Sequence, residues 1–239
     1  MKAIILSAGR GKRLARASGE GPKCMVPVQG QPLIEWQLDS LARCGIPRAS
    51  VVLGYGADKV RRLLAAKRRP IRVDSRFNPF YGVADNLVSC WMARDAMSED
   101  FVLINGDTLF EPAVLQRLLE APPAAVTLAV DRKASYDADD MKVQSAGGRL
   151  LAIGKDLASE RVDAESIGMI RFNQAGAARF VQKIESLMQH ESTLARWYLS
   201  AVDELAADKL VGICDISGLG WCELDDKEDL AHAIRVVPS

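Results

Sequence analysis

Over residues 1–130, short apolar runs alternate with segments whose apolar side chains recur every three or four residues. This alternation constrains the fold more than any other feature of the chain. Residues 2–6, 50–53, 71–74, 101–105 and 125–130 read as buried strands. Between them, Ile34, Leu38 and Leu41 form one helical stripe, and Val60, Leu63 and Leu64 a second. Leu87, Val88, Trp91 and Met92 form a third, and Val114, Leu115 and Leu118 a fourth. The punctuation agrees. Pro32 and Pro112 stand at helix starts, Asp58 is placed to cap the second helix, and Gly45 and Gly106 end the elements before them. Repeated βα units of this kind give a parallel sheet with helices on both faces.

Beyond residue 130 the rhythm changes. Residues 141–144 and 150–153 flank Ala146-Gly147-Gly148-Arg149, a hairpin turn pattern. A strand at 167–172 precedes the clearest helix, with Ala177, Phe180, Val181, Ile184, Leu187 and Met188 on one face. A further helix is expected over 197–207, strands over 211–215 and 221–223, and a closing helix over 227–236. No long linker or low-complexity tract interrupts the chain. The expectation is one α/β domain over residues 1–239, with a Rossmann-like, mostly parallel mixed sheet. Residues 131–239 would add a small β-rich subregion to the parallel core of residues 1–130.

Lys and Arg total 31, as do Asp and Glu, so no net field draws the chain to nucleic acid or anionic lipid. The cations at 61, 62, 67, 68, 69 and 72 lack interleaved aromatics and read as a solvated helix face. Five scattered cysteines with no C-x-x-C pair support neither a disulfide framework nor a zinc site. Cys24 is notable only because Lys23 beside it would lower its pKa. His190 and His232 have no partner motif. The start is too short an apolar run for a signal peptide, and no stretch approaches membrane-spanning length, so a cytoplasmic protein is expected.

The first strand runs into LSAGRGKRL, residues 6–14. A glycine-rich loop at the carboxyl edge of such a sheet can present peptide N–H groups to a phosphate. The Walker pattern fails, with Leu6 at its first glycine and Arg13 at its hydroxyl position. The dinucleotide pattern G-x-G-x-x-G finds Gly9 and Gly11 but has Leu14 at the third glycine. Asp107 follows a buried strand and Gly106, at the same sheet edge as this loop, and Asp225 lies in WCELDDKEDL near the other end. Asp226 and Asp229 suit the lesser task of starting the closing helix.

LSAGRGKRL, then Pro22-Lys23, then VPV and GQPLIE at residues 26–28 and 30–35, closely resemble the signature of sugar-phosphate nucleotidyltransferases. These enzymes join a nucleoside triphosphate to a phosphorylated small molecule. The resemblance implies the GT-A-like fold of the nucleotide-diphospho-sugar transferases. Residues 1–130 would then be the nucleotide half and 131–239 the acceptor half. It also implies Mg²⁺ held by Asp107 and Asp225, with Arg13 on the β and γ phosphates and Lys23 on the α-phosphate. Leu6, Ala8, Gly9, Gly11 and Lys12 would line the nucleotide site.

The middle stretch RFNPFYGVADNLVSCWMA is similar to the branch acting with CTP on phosphocholine, inositol phosphate or aminoethylphosphonate. In that branch Asn86 and Ser89 would join the nucleotide site, though Asp85 replaces an asparagine usual there. The alternative reading of Asn86 is a helix cap. DADDMKV, IGKDL and ESIGM also look like this branch. They imply an acceptor pocket lined by Asp139, Asp140, Lys142, Lys155 and Glu165. The carboxylates would receive a cationic amine and Trp197 or Tyr198 would face a quaternary ammonium; the alternative is a solvated acidic loop and core aromatics. The expected partners are CTP and a small phosphorylated or phosphonylated acceptor, with no nucleic acid or membrane; a homo-oligomer is compatible. A UTP- or dTTP-dependent sugar-1-phosphate nucleotidyltransferase is the alternative within the class. An inactive nucleotide-binding regulatory protein is the alternative outside it.

Overall fold

A computed structural model describes residues 1–11 and 21–236, except for the side chain of Lys227. In chain order the strands are β1 (Lys2–Ser7), β2 (Pro27–Val28), β3 (Gln31–Pro32), β4 (Arg48–Leu53), β5 (Arg72–Phe77), β6 (Phe101–Asn105) and β7 (Thr108–Phe110). They continue with β8 (Val126–Asp131), β9 (Lys142–Ala146), β10 (Arg149–Gly154), β11 (Ala164–Phe172), β12 (Val211–Asp215) and β13 (Trp221–Glu223). The helices are α1 (Leu33–Arg43), α2 (Ala57–Ala66), α3 (Asn86–Met92), α4 (Pro112–Glu120), α5 (Gln174–Leu187), α6 (Leu199–Ala207) and α7 (Lys227–Val236).

Nine strands form one mixed sheet in the order β5-β4-β1-β6-β11-β8-β12-β10-β9. The first-half strands β5, β4, β1 and β6 are parallel to one another, as the βα rhythm requires. β11 runs antiparallel between β6 and β8, so the later strands extend the same sheet. The Gly147-Gly148 hairpin joins β9 to β10 at the far edge, both glycines having positive φ. Helices cover both faces. Ile34, Leu38, Leu41, Val60, Val114 and Leu118 pack on one side, and Leu87, Phe180, Ile184, Val202 and Leu205 on the other. A third, smaller core joins Val26, Val28 and Leu33 to Leu109, Leu224, Ala233 and Val236, seating α7 on the β2–β3 hairpin.

Two local expectations are corrected. Asp58 does not cap α2; Gly56, in the left-handed region, holds that place, and Asp58 lies in the first turn paired with Arg61. Arg69 is not part of a solvated face. It is buried against Glu35, bonds the Glu35 carboxylate through Nε and Nη2, and donates to the carbonyls of Leu63 and Lys67. Burial pushes the Glu35 carboxyl up, but Arg69 and Lys67 outweigh it and hold the group below its ordinary value.

Candidate active site

The carboxyl ends of β1 and β6 lie side by side, Leu6 in register with Asn105. The Gly106 N–H donates to the Leu6 carbonyl at 2.9 Å, and a Cβ on Gly106 would sit 2.4 Å from that oxygen. Glycine therefore permits the close approach that brings Asp107 to the rim of the first loop. Asp225 arrives by another route. The three-residue strands β7 and β13 pair antiparallel, Thr108 opposite Glu223, and the Leu224 N–H donates to the Asp107 carbonyl at 3.0 Å. The next residue, Asp225, is thus delivered beside Asp107. Its setting is fixed from below: the Asp229 carboxylate accepts from the main-chain N–H groups of Asp225 and Asp226, and Asp226 accepts from those of Glu228 and Asp229. Asp226 and Asp229 thus start α7 as expected.

Lys23 comes from the short turn Lys23–Met25, ahead of the β2–β3 hairpin. Its Nζ donates to Asp107 Oδ2 at 2.8 Å and to Asp225 Oδ1 at 2.5 Å. Burial would lower the Lys23 pKa, but the two carboxylates outweigh it and hold it above the ordinary value. Gly11 lies against the Lys23 side chain. Cys24 does not have the lowered pKa that its neighbour suggested: burial pushes the thiol up to about 12, so it is inert at neutral pH. Glu223, in the same motif as Asp225, completes an acidic rim. Burial and the charges of Asp107 and Asp225 raise its carboxyl well above the ordinary range.

Two cavities meet at this point. The first, about 210 Å³, is lined by Leu6, Ala8, Gly9, Asn86, Ser89 and Asp107, all named from the sequence, with Asn78, Tyr81 and Asn105 added by the fold. The second, about 500 Å³, contains Asp139, Asp140, Lys155, Glu165 and Trp197, together with Lys133, Glu223 and Asp225. Asn86, Asn105 and Asp107 border both. Asn86 is not itself the cap of α3. Asp85 caps that helix, and Asn86 Oδ1 accepts the Tyr198 main-chain N–H at 2.8 Å. Tyr198 Oη in turn donates to Asn105 Oδ1 at 3.0 Å.

In the second cavity, Lys133 Nζ lies 2.9 Å from both Asp140 and Glu165. Burial pushes the Glu165 carboxyl up to about 7, Lys133 opposing and Asp140 reinforcing the shift. Lys155 sits over the Trp197 ring at 5.1 Å and 3.6 Å from Asp139. Two acceptor candidates are displaced from their expected roles. Lys142 is only 6% exposed and, instead of lining the cavity, donates from Nζ to the Lys155 carbonyl at 2.8 Å. Tyr198 is fully buried in the core and faces no ligand. His232, by contrast, borders this cavity. Lys12 and Arg13 lie outside the described residues.

Sequence reasoning passed over Asn78, Asn105, Lys133 and Glu223. Glu223 and Asn105 stood within or next to quoted motifs. Asn78 stood inside the quoted RFNPFYGVADNLVSCWMA without being singled out, and Lys133 carries no local signal; only the fold brings it to the cavity.

The arrangement suits chemistry on phosphates: a lysine, a convergent carboxylate pair and two adjoining cavities. Comparison with known proteins agrees. The chain is 30% identical to the CMP-5'-(3-aminopropyl)phosphonate synthase of Streptomyces rubellomurinus, over 98% of this chain and 38% of that protein. It is 24% identical to the CTP:phosphoglutamine cytidylyltransferase of Campylobacter jejuni, over 98% of this chain and all of that protein. The chain thus spans well under half of the first relative and the whole of the second. The fold matches the inositol-1-phosphate CTP transferase structure from T. maritima with a TM-score of 0.82, at 20% identity, covering 98% of this chain and 95% of that one. The model of the MobA-like NTP transferase domain matches residues 3–208, and the chain belongs to that nucleotidyltransferase family.

Proposed function

We propose that the chain is a Mg²⁺-dependent cytidylyltransferase that transfers CMP from CTP to a phosphorylated or phosphonylated small molecule. The observation that carries this reading is the convergence of Lys23, Asp107 and Asp225 where the two cavities meet. The nucleoside occupies the smaller cavity and the acceptor the larger. An acceptor oxygen bonds to the α-phosphorus while the α–β bridging P–O bond breaks, and pyrophosphate leaves with that electron pair. Lys23 donates to the α-phosphate oxygens as negative charge builds there. Arg13 takes the β and γ phosphates, a role that rests on the family resemblance.

The residues fit a hard divalent cation. Asp107 Oδ1 is buried without a partner among the described residues, and Asp107 and Asp225 already converge on one cationic atom. Two carboxylates plus substrate phosphates are the usual donor set for Mg²⁺. When bound, Mg²⁺ would neutralise charge on the triphosphate. Acidic side chains outnumber Lys133 and Lys155 around the larger cavity, Asp137, Asp139, Asp140, Glu165 and Asp225 among them, and this favours an acceptor whose far end is an amine. The names of the aminopropylphosphonate and phosphoglutamine relatives are in keeping with such an acceptor. Five free cysteines fit a cytoplasmic setting.

The test is pyrophosphate release with Mg²⁺, each of the four NTPs and a panel of phosphate and phosphonate acceptors. Release is expected with CTP and an amine-bearing acceptor, and loss of turnover in a folded Asp107→Ala variant. No release with any pair refutes the enzyme reading, and preference for UTP or dTTP with a hexose 1-phosphate establishes the sugar-nucleotide alternative.

A further inference from the structure

Asn78 follows β5 at the wall of the smaller cavity and is 1% exposed. The main-chain N–H of Phe80 donates to Asn78 Oδ1 at 2.9 Å. Only the carbonyl end of an amide can accept, so this bond fixes which way the amide points. Its NH₂ end then meets Ser89 Oγ at 3.1 Å, and Ser89 is the receiver. Ser89 lies on α3, 3% exposed, and lines the same cavity. It makes no other side-chain hydrogen bond among the described residues, so its own proton is left to point at whatever fills the cavity.

We propose that Asn78 is a positioning residue for base selection: by donating to Ser89 it turns the serine hydroxyl into a hydrogen-bond donor that accepts cytosine and disfavours uracil. The inference rests on the nucleotide reading above, with the base in the smaller cavity. Cytosine presents an unprotonated ring N3, which accepts the Ser89 proton. Uracil carries a hydrogen on N3. At that ring position it can meet Ser89 only as a donor to the remaining lone pair, which turns the serine proton away from N3 in a buried site. A buried donor without a partner is costly, and sites built on a directed hydrogen bond discriminate for that reason. The direction of the relay, from Phe80 N–H to Asn78 to Ser89, is therefore the element that selects the base.

The experiment is isothermal titration of the protein with CTP and with UTP, in Mg²⁺ and without acceptor, on the wild type, Asn78→Asp and Ser89→Ala. The wild type is expected to bind CTP about tenfold more tightly than UTP. In Asn78→Asp the carboxylate still accepts from Phe80 but also accepts the Ser89 proton. The serine then offers only lone pairs, and the CTP:UTP ratio falls to about one or inverts. In Ser89→Ala the ratio also falls to about one, which tests the idea even if Asn78→Asp folds poorly. A purely structural role for Asn78 would weaken both nucleotides alike and leave the ratio unchanged. A selective wild type whose two variants keep that ratio overturns the inference and leaves the CTP reading standing. A wild type that binds UTP as well as CTP overturns both.

Discussion

Lys23 stands where the proposed metal would be held, and this gives a measurable consequence. Its Nζ is shared by Asp107 and Asp225, and the three side chains are 13%, 30% and 31% exposed. A cation bound by both carboxylates must displace the ammonium. A well-buried charge-assisted hydrogen bond contributes about 1.5–3 kcal/mol. With the carboxylates nearly a third exposed, about 1 kcal/mol for each contact is the better value. Displacement then costs about 2 kcal/mol, or roughly 30-fold in affinity. Lys23→Met should therefore bind Mn²⁺, an oxygen-seeking stand-in for Mg²⁺, about 30-fold more tightly than the wild type in the absence of nucleotide. Mn²⁺ electron paramagnetic resonance or calorimetry reads this directly, without turnover. The variant should also melt earlier without metal, since Asp107 and Asp225 lose their shared cation, and Mn²⁺ should restore it by mass action. Adding Asp107→Asn to Lys23→Met should abolish the gain. Equal or weaker Mn²⁺ binding by Lys23→Met would refute the reasoning, because Lys23 and the metal would then not compete for the same oxygens.

Three further outcomes follow from the fold. Arg69→Met leaves buried Glu35 with only the half-exposed Lys67, so a loss of about 3 kcal/mol is expected in urea unfolding. The Glu35 carboxyl is held below its ordinary value, so its stabilising effect is present above the unfolded pKa of about 4.3 and lost as pH falls through the folded value. Melting of Glu35→Gln should accordingly depend less on pH below about pH 4 than that of the wild type, and an unchanged slope would count against the pair. Gly168 has φ +70°, and a Cβ there would lie 2.3 Å from Asn105 Nδ2. Gly168→Ala should cost at least about 2 kcal/mol in the same unfolding assay and weaken nucleotide binding, because Asn105 borders both cavities; wild-type stability would sink this account.

What could be read without coordinates was governed by distance along the chain. The first loop, the βα rhythm and Asp107 were legible because strand, glycine and functional residue are neighbours in sequence. Asp225 was legible as a motif, but the reason it reaches Asp107 was not. That reason is the pairing of β7 with β13, each three residues long and too short to leave a periodic signature. Lys142 shows the opposite failure. It sits in a quoted acceptor motif, yet β9 pairs with both β10 and β11, and the pairing buries its side chain beneath the Lys155 carbonyl. Its neighbour across that bond, Lys155, keeps the half-buried place over Trp197 at the cavity. Arg69 fails for the same reason: nothing within a run of cations marks the one whose partner, Glu35, lies 34 residues back. Asn78 and Ser89 are only 11 residues apart, but their bond has meaning only through the Phe80 N–H that orients the amide. Motifs thus mark the groups proposed to meet phosphate. The proposed selection of base and acceptor would depend on the direction of hydrogen bonds and the placement of charges across distant elements, and these exist only once the sheet has closed the two cavities around Asn105 and Asp107.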